Sequence, residues 1–293
     1  MTDPAPHRFG PLTGIGDEAA HALPDQIAAV HRLGWRHLEL RNVDGTALAD
    51  LDRTAFRALV RRLSDEGIGV AAVASRVGNW SRPVTGDFDL DLRELDTLAD
   101  RCAALDCRIV RIMSYPNDGL DEADWADRVL DRTARLAERA AAAGLVLAHE
   151  NCAGWAADRA DRALRLVHAV DNPALRLLFD TGNGVPHGYD ALALLREVAP
   201  HVVHVHVKDA VRAPDGTTLY TLPGHGDAQV ADCLHVLAAH GYRGALSLEP
   251  HLAIQPHADL LRHGEDAPDL FVRAGRALTG LLTTDRHPAG RPE

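Results

Sequence analysis

The chain predicts an α/β fold, a single (β/α)8 barrel. Three observations carry that expectation. Eight short apolar runs alternate with eight Ala/Leu/Arg-rich amphipathic stretches, no composition break divides the chain, and the last four runs all end in polar groups. The apolar runs fall at about 11–16, 36–41, 68–75, 107–114, 144–150, 174–180, 201–208 and 243–249. Helical patterns lie between and after them, near 22–33, 53–66, 88–105, 121–143, 158–170, 189–199, 227–240 and 266–282. Gly34, Gly67, Gly144 and Gly241 each close a helical pattern just before the next strand, where a left-handed residue ends a helix. A dinucleotide-binding sheet fits less well, because Gly14-Ile15-Gly16 runs into Asp17-Glu18, which would repel a pyrophosphate. One domain is expected over 1–283, with 284–293, polar and carrying two prolines, as a flexible tail.

Composition narrows the function. Of 293 residues 46% are hydrophobic but only 4% aromatic, so a large core must be built from Ala, Leu and Val. A net charge of −11, spread along the helices, repels phosphate backbones and argues against a nucleic-acid role. Cys102, Cys107, Cys152 and Cys233 form no CxxC pair, so free thiols in a reducing cytoplasm are expected. Cys152 reads as a buried thiol rather than a ligand. No apolar leader or membrane-length run is seen, which points to a cytoplasmic protein without a membrane partner.

Strand parity locates a site. In a barrel the active face lies at the strand C-termini, and the loops after strands three (76–87), seven (209–226) and eight (250–265) are the longest. Side chains alternate along a strand. His204, His206 and Lys208 therefore share the inward face of strand seven, as do Ser247 and Glu249 in strand eight. Asp180 ends strand six opposite in phase to Phe179, and Glu150 ends strand five in phase with Ala148 and Val146. Glu150, Asp180, His206 and Glu249 thus point inward at one rim. Three carboxylates and one imidazole suit a single divalent ion, with Mn2+ favoured, Mg2+ close to it, and Zn2+, Co2+ or Fe2+ admitted by the histidine. The bland alternative is four hydrogen-bonded rim groups. Lys208 is the one lysine among 31 Lys and Arg residues, which marks a place where a compact ammonium is needed. It could bind a substrate oxygen, or pair structurally with Asp209 or another rim acid.

The strings His149-Glu150-Asn151, Phe179-Asp180-Thr181-Gly182-Asn183, His206-Val207-Lys208-Asp209 and Leu246-Ser247-Leu248-Glu249-Pro250-His251 resemble motifs of the xylose-isomerase-like TIM-barrel superfamily. The likeness is to its sugar phosphate isomerase/epimerase branch, with its ketose 3-epimerases and inosose-processing enzymes. Glu39-Leu40-Arg41-Asn42-Val43-Asp44-Gly45, Arg111-Ile112-Met113-Ser114-Tyr115 and Gly224-His225-Gly226-Asp227 agree with it, and it covers about residues 9–282. The resemblance implies a Glu150, Asp180, His206, Glu249 metal quartet with the two glutamates as acid/base pair. It also implies a substrate-binding Arg212, whereas Asn183 departs from the histidine common there in ketose epimerases.

The implied activity is isomerisation or epimerisation of a keto sugar or cyclitol, by proton abstraction next to a carbonyl through a metal-stabilised enediolate. The alternative is a lyase using the same site: a keto-sugar or inosose dehydratase, or a 3-keto C-glycoside-cleaving enzyme with a partner subunit. A sugar-binding barrel without turnover is a third reading. Apurinic-site endonucleases share the barrel but need further histidines, and strands three and four here end Ala74-Ser75-Arg76 and Met113-Ser114-Tyr115. The expected substrate contacts are Lys208, Arg212, Asn183, Trp80, Trp155, Arg41, Ser75, Arg111, Tyr115 and His251. Indole faces of Trp80 and Trp155 suit C–H-rich sugar surfaces, although both could instead be packing residues. Gly224 to Asp227 could cradle an anion, with Asp227 better explained as a helix N-cap. A homo-oligomer is left open.

Overall fold

Each predicted apolar run supplies one strand of a parallel barrel in the computed structural model, which describes residues 9–255, 260–261 and 266–284. The strands are β1 (Leu12–Gly14), β2 (His37–Leu40), β3 (Gly69–Ala74), β4 (Ile109–Ser114), β5 (Val146–Gly154), β6 (Leu175–Asp180), β7 (Val202–Val207) and β8 (Leu246–Leu248). Their order is β1-β8-β7-β6-β5-β4-β3-β2, and a parallel bridge between Ile15 and Glu39 joins the two end strands. The wall is therefore nearly closed.

The main helices follow the predicted rhythm: α1 (Leu23–Arg32), α2 (Arg53–Asp65), α3 (Asp89–Ala104), α4 (Glu122–Ala142), α5 (Ala160–Val170), α6 (Ala191–Val198), α7 (Val230–Ala239) and α8 (Ala267–Thr284). Local chemistry starts and stops them. Asp52, Asp121 and Asp190 cap α2, α4 and α6 by accepting the backbone N–H of Ala55, Asp124 and Ala193. Gly34, Gly67, Gly144 and Gly241 all take positive φ after α1, α2, α4 and α7, as expected. Beyond the predicted elements, short hairpins form at Asn42–Val43 with Thr46–Ala47 and at Asp209–Arg212 with Thr218–Thr221. A one-turn helix follows β6 at Gly184–His187. Of the tail expected at 284–293, Thr284 still belongs to α8, and the rest lies outside the described residues, as does part of the loop after β8.

Two layers divide the interior. Outward-facing Leu147, Leu177, Phe179, Val205, Val207, Leu246 and Leu248 are buried against the helices. The lumen is polar instead: Thr13, Glu39, His204, His206 and Ser247 are all buried there. Branched aliphatics usually fill this space, so the polar lumen signals a supported site. Register sets its level. Asp180 pairs with His206 and Ser247 pairs with His206, while Glu150 sits opposite Leu178. The ends of β5 to β8 thus bring their polar residues to one rim. Among the described residues no helix is long and apolar enough to cross a membrane.

Packing of the outer layer yields a direct test. Leu147 is fully buried between β5 and the helices, so Leu147→Ala should lower unfolding free energy by about 2–5 kcal/mol in urea titrations. A loss below about 1 kcal/mol would show that this layer relaxes around a void.

Candidate active site

The site assembles from side chains whose remaining atoms are fixed by neighbours. Asn151 brackets the end of β6: its Oδ1 accepts from the Asp180 N–H at 2.6 Å and its Nδ2 donates to the Asp180 carbonyl at 2.9 Å. Asp180 Oδ1 then accepts from the N–H groups of Gly182 and Asn183, both at 2.8 Å, which leaves Oδ2 for the lumen. Asn183 Nδ2 donates to Glu150 Oε1 at 3.0 Å, and Glu150 Oε2 faces Arg111 Nε at 3.4 Å. His206 Nδ1 looks toward Glu249 Oε2 at 3.3 Å, Glu150 Oε1 at 3.8 Å and Asp180 Oδ2 at 4.0 Å. Glu249 also meets Arg41 at 3.2 Å and Lys208 at 2.9 Å.

One ligand atom from each of Glu150, Asp180, His206 and Glu249 lies within 4.8 Å of the others, and all four residues are buried. The donor set fits a divalent ion on this structure's own terms. Glu150 Oε2, Asp180 Oδ2 and His206 Nδ1 are buried without a hydrogen-bond partner, the first two offset only by ion pairs to Arg111 and Lys208. Such under-satisfied atoms call for a ligand or ion. Lys208 Nζ approaches Asp180 Oδ2 at 2.9 Å as well as Glu249. The ammonium therefore pairs with the rim acids and not with Asp209.

Electrostatics follow from burial set against these charges. Burial resists ionisation of Glu150, but Arg111 and His206 outweigh it and bring its pKa down to about 2. Glu249 is likewise held well below the usual carboxylate range: Lys208, His251 and His206 overcome its desolvation. Asp180 goes the other way. Burial dominates there, and despite the pull of Lys208 the neighbouring Glu249 and Glu150 help push its pKa up to about 6. His206 is raised well above the usual histidine value, against its burial, by Glu39, Glu150 and Glu249.

Above the quartet opens a cavity of about 340 Å³, whose wall includes Arg41, Trp80, Arg111, Glu150, Asn183, Lys208, Glu249 and His251. His251 is held by Glu18, which accepts from its Nδ1 at 3.1 Å and from its backbone N–H at 3.0 Å. The structure does not bring every expected contact here. Ser75 donates to the Arg111 carbonyl at 2.6 Å and lines a neighbouring cavity of about 260 Å³, which shares Arg41, Trp80 and Arg111 with the first. Tyr115 is fully buried, donating to Asp91 at 2.8 Å. Trp155 is 1% exposed, donates to Glu122 and carries Arg162 and Arg165 against its ring, so it is a packing residue. Arg212 is exposed and turned onto the carbonyls of Val185 and Pro186, because the hairpin it ends folds over the one-turn helix.

The anion-cradle and N-cap expectations at Gly224 to Asp227 are also corrected. Asp209 accepts from the N–H groups of Gly224, Gly226 and Ala228, so those donors are spent inside the protein. Asp227 accepts from the Arg212 N–H instead of capping α7, which begins later, at Val230. Cys152, expected as a plain buried thiol, lines the cavity 3.8 Å from His187 Nε2.

Several site residues escaped the expected set. Glu39, Glu18, Asn151, His187 and Tyr220 are the main ones. Glu39 had a signal: it is a charge inside an apolar run, in phase with Arg41. Tyr220 had none, since its place follows from a hairpin within a long loop, where its ring packs edge-on against His251 at 5.0 Å.

Fold and site define a (β/α)8 barrel with a buried carboxylate–imidazole cluster at its C-terminal rim. The chain belongs to the xylose isomerase-like TIM barrel family, whose profile matches residues 27–266. It is 34% identical over 128 residues to the rhizopine catabolism protein MocC of Rhizobium meliloti, covering 39% of each chain. It is 30% identical over 140 residues to the inosose dehydratase of Lactiplantibacillus plantarum, covering 43% of this chain and 46% of that one. The matches thus span less than half the length of these curated relatives. A solved L-ribulose 3-epimerase has the same fold, with a TM-score of 0.73 at 19% identity over 97% of this chain and 100% of the other.

The raised pKa of Asp180 has a sign that can be checked. A carboxyl whose folded value lies above its unfolded value near 3.8 loses its stabilising contribution as pH rises through about 6. In metal-free protein, Asp180→Asn should therefore raise the melting temperature at pH 7.5 by on the order of 5 °C. The gain should shrink as pH falls from 6 toward 4. An equal or lower melting temperature at pH 7.5 would contradict the charge balance described above.

Proposed function

We propose that the chain is a divalent-metal-dependent isomerase or epimerase acting on a keto sugar or cyclitol, by proton transfer at the carbon next to the carbonyl. The observation that carries this reading is the convergence of Glu150, Asp180, His206 and Glu249, three of whose buried atoms have no hydrogen-bond partner, beneath an open cavity. These four residues would hold one ion, Mn2+ favoured by the oxygen-rich set and Mg2+, Zn2+, Co2+ or Fe2+ also compatible. When bound, the ion supplies Lewis-acid polarisation of a carbonyl and its neighbouring hydroxyl.

The chain's own groups do the rest. Glu150 lies in β5 and Glu249 directly after β8, and both are held as carboxylates by adjacent cations. One, as the carboxylate, takes a proton from one side of the substrate carbon. The other first gains a proton, from solvent or from the Lys208 ammonium 2.9 Å from Glu249, and returns it from the opposite side, which inverts the centre. Return to the adjacent carbon gives isomerisation. Lys208 and Arg111 present cationic groups to substrate oxygens, and Trp80, 50% exposed at the cavity edge, offers an indole face to C–H groups. The partner is thus a small molecule; the −11 charge disfavours nucleic acid. We read 1–283 as one domain, and four buried free cysteines accord with a reducing cytoplasm.

The second reading is a dehydratase, favoured by the 30% identity to an inosose dehydratase. It shares the first proton abstraction and differs in expelling a hydroxyl β to the carbonyl.

Two measurements test the proposal together. Metal content by mass spectrometry should give about one divalent ion per chain in wild type and less in Glu150→Gln. Candidate keto sugars and inososes in D2O should then show exchange next to the carbonyl. Glu150→Gln and Glu249→Gln should each slow that exchange by about 10²–10⁴-fold. Loss of water from the product would select the dehydratase, and absence of both metal and exchange would reject either chemistry.

A further inference from the structure

We propose that Glu39 is a positioning residue for this centre: from β2 it fixes His206 as the Nε2–H tautomer and so reserves the Nδ1 lone pair for the ion. The inference rests on the metal-centre reading and goes beyond it, because Glu39 lines neither cavity and stands outside the quartet.

The geometry is specific. Glu39 is fully buried, with Oε2 at 2.7 Å from His204 Nε2 and Oε1 at 3.0 Å from His206 Nε2. A carboxylate only accepts hydrogen bonds, so both ring nitrogens facing it must carry the proton. His206 Nδ1 is the ring atom left over. It has no hydrogen-bond partner and faces Glu249, Glu150 and Asp180 at 3.3, 3.8 and 4.0 Å. A carboxylate behind a ligating imidazole raises the basicity of the ligating nitrogen and stops the ring from turning.

Topology makes the contact hard to obtain by accident. β2 and β7 are not neighbours in the sheet, so Glu39 reaches His206 across the lumen. The bridge between Ile15 and Glu39 anchors the Glu39 backbone where the barrel closes. His204 occupies the second carboxylate oxygen, its ring edge-on to His206 with centroids 5.4 Å apart. Glu39 is thereby held from both sides and has no freedom to follow a rotating His206. Glu39, His204 and His206 could also be grouped as an ion site of their own. Their direct 2.7 and 3.0 Å contacts already satisfy the atoms concerned.

The test uses chelator-stripped full-length protein titrated with Zn2+ by calorimetry, in wild type and Glu39→Gln. An amide in place of the carboxylate can point its NH2 at His206 and turn the tautomer around. We expect one Zn2+ per chain in both proteins, with affinity about 10–100-fold weaker in the variant. Affinity within twofold in a folded variant overturns the inference. So does a second equivalent of Zn2+ in wild type that disappears in the variant, since Glu39 would then be a ligand. Should the variant not fold, long-range proton–nitrogen correlation spectra of Zn2+-loaded wild type decide the matter. Protonated Nε2 with metal-shifted Nδ1 on His206 supports the assignment, and the reverse pattern overturns it. A wild type that binds no Zn2+ overturns the metal-centre reading itself, and the inference with it.

Discussion

Buried negative charge in the lumen and rim is the constraint on which the rest of the structure depends. Besides Asp209, whose carboxylate is spent on backbone N–H groups, six carboxylates, Asp17, Glu18, Glu39, Glu150, Asp180 and Glu249, are buried there. Three permanent cations answer them: Arg41, Arg111 and Lys208. Six against three leaves a deficit that His204, His206 and His251 soften by bonding Glu39 and Glu18. Burying ionised groups carries a desolvation cost that their pairing need not repay, so replacing a buried pair by apolar residues is often neutral or stabilising. The arrangement is thus a poor way to stabilise a barrel. It makes sense where a divalent cation completes the balance, which is also where the buried atoms without hydrogen bonds converge.

Arg41 shows how the deficit is managed without filling the site. Its Nε contacts both oxygens of Asp17 at 3.1 Å, one terminal nitrogen reaches Glu18 at 2.7 Å and the other Glu249 at 3.2 Å. A planar fork can divide itself among three acids in this way. One oxygen of Glu249 is thereby tied to the Arg41 side, and the other, Oε2, faces His206 and Lys208. The clamp orients the carboxylate, which the proton-transfer role proposed for Glu249 would require.

Fold and quartet were both legible in the sequence for one reason: strands impose a period of two, so a polar residue at a strand end declares its side of the wall. Glu150, Asp180, His206 and Glu249 could be read that way. Arg212, Trp155 and Tyr115 could not, because the chain has turned off the barrel wall where they stand and the loop path sets direction, whereas Glu249, also one residue past its strand, still follows the strand's phase. Arg212 and Tyr220 belong to the same hairpin, yet the one turns onto Val185 and Pro186 while the other lines the cavity. Nothing local in the sequence distinguishes them. Glu39 was legible in kind but not in role. Its partners, His204 and His206, come from far along the chain, and their meeting depends on barrel closure.

The lone lysine ties two separate motifs together. Lys208 is clamped by Thr181, whose hydroxyl donates to its carbonyl at 2.6 Å and accepts from its N–H at 3.0 Å. Gly182 lies directly against it: a Cβ there would stand 2.8 Å from Lys208 Cγ and 2.9 Å from its Cβ. A larger residue at 182 would push the stem of Lys208 away and pull its ammonium off Asp180 and Glu249. Thr181-Gly182 after β6 and Lys208 after β7 are therefore one device, a close approach that delivers a single small cation to two carboxylates at 2.9 Å. A guanidinium is wider and fixed in a plane. That difference accounts for a lysine at this position in a chain that uses arginine everywhere else.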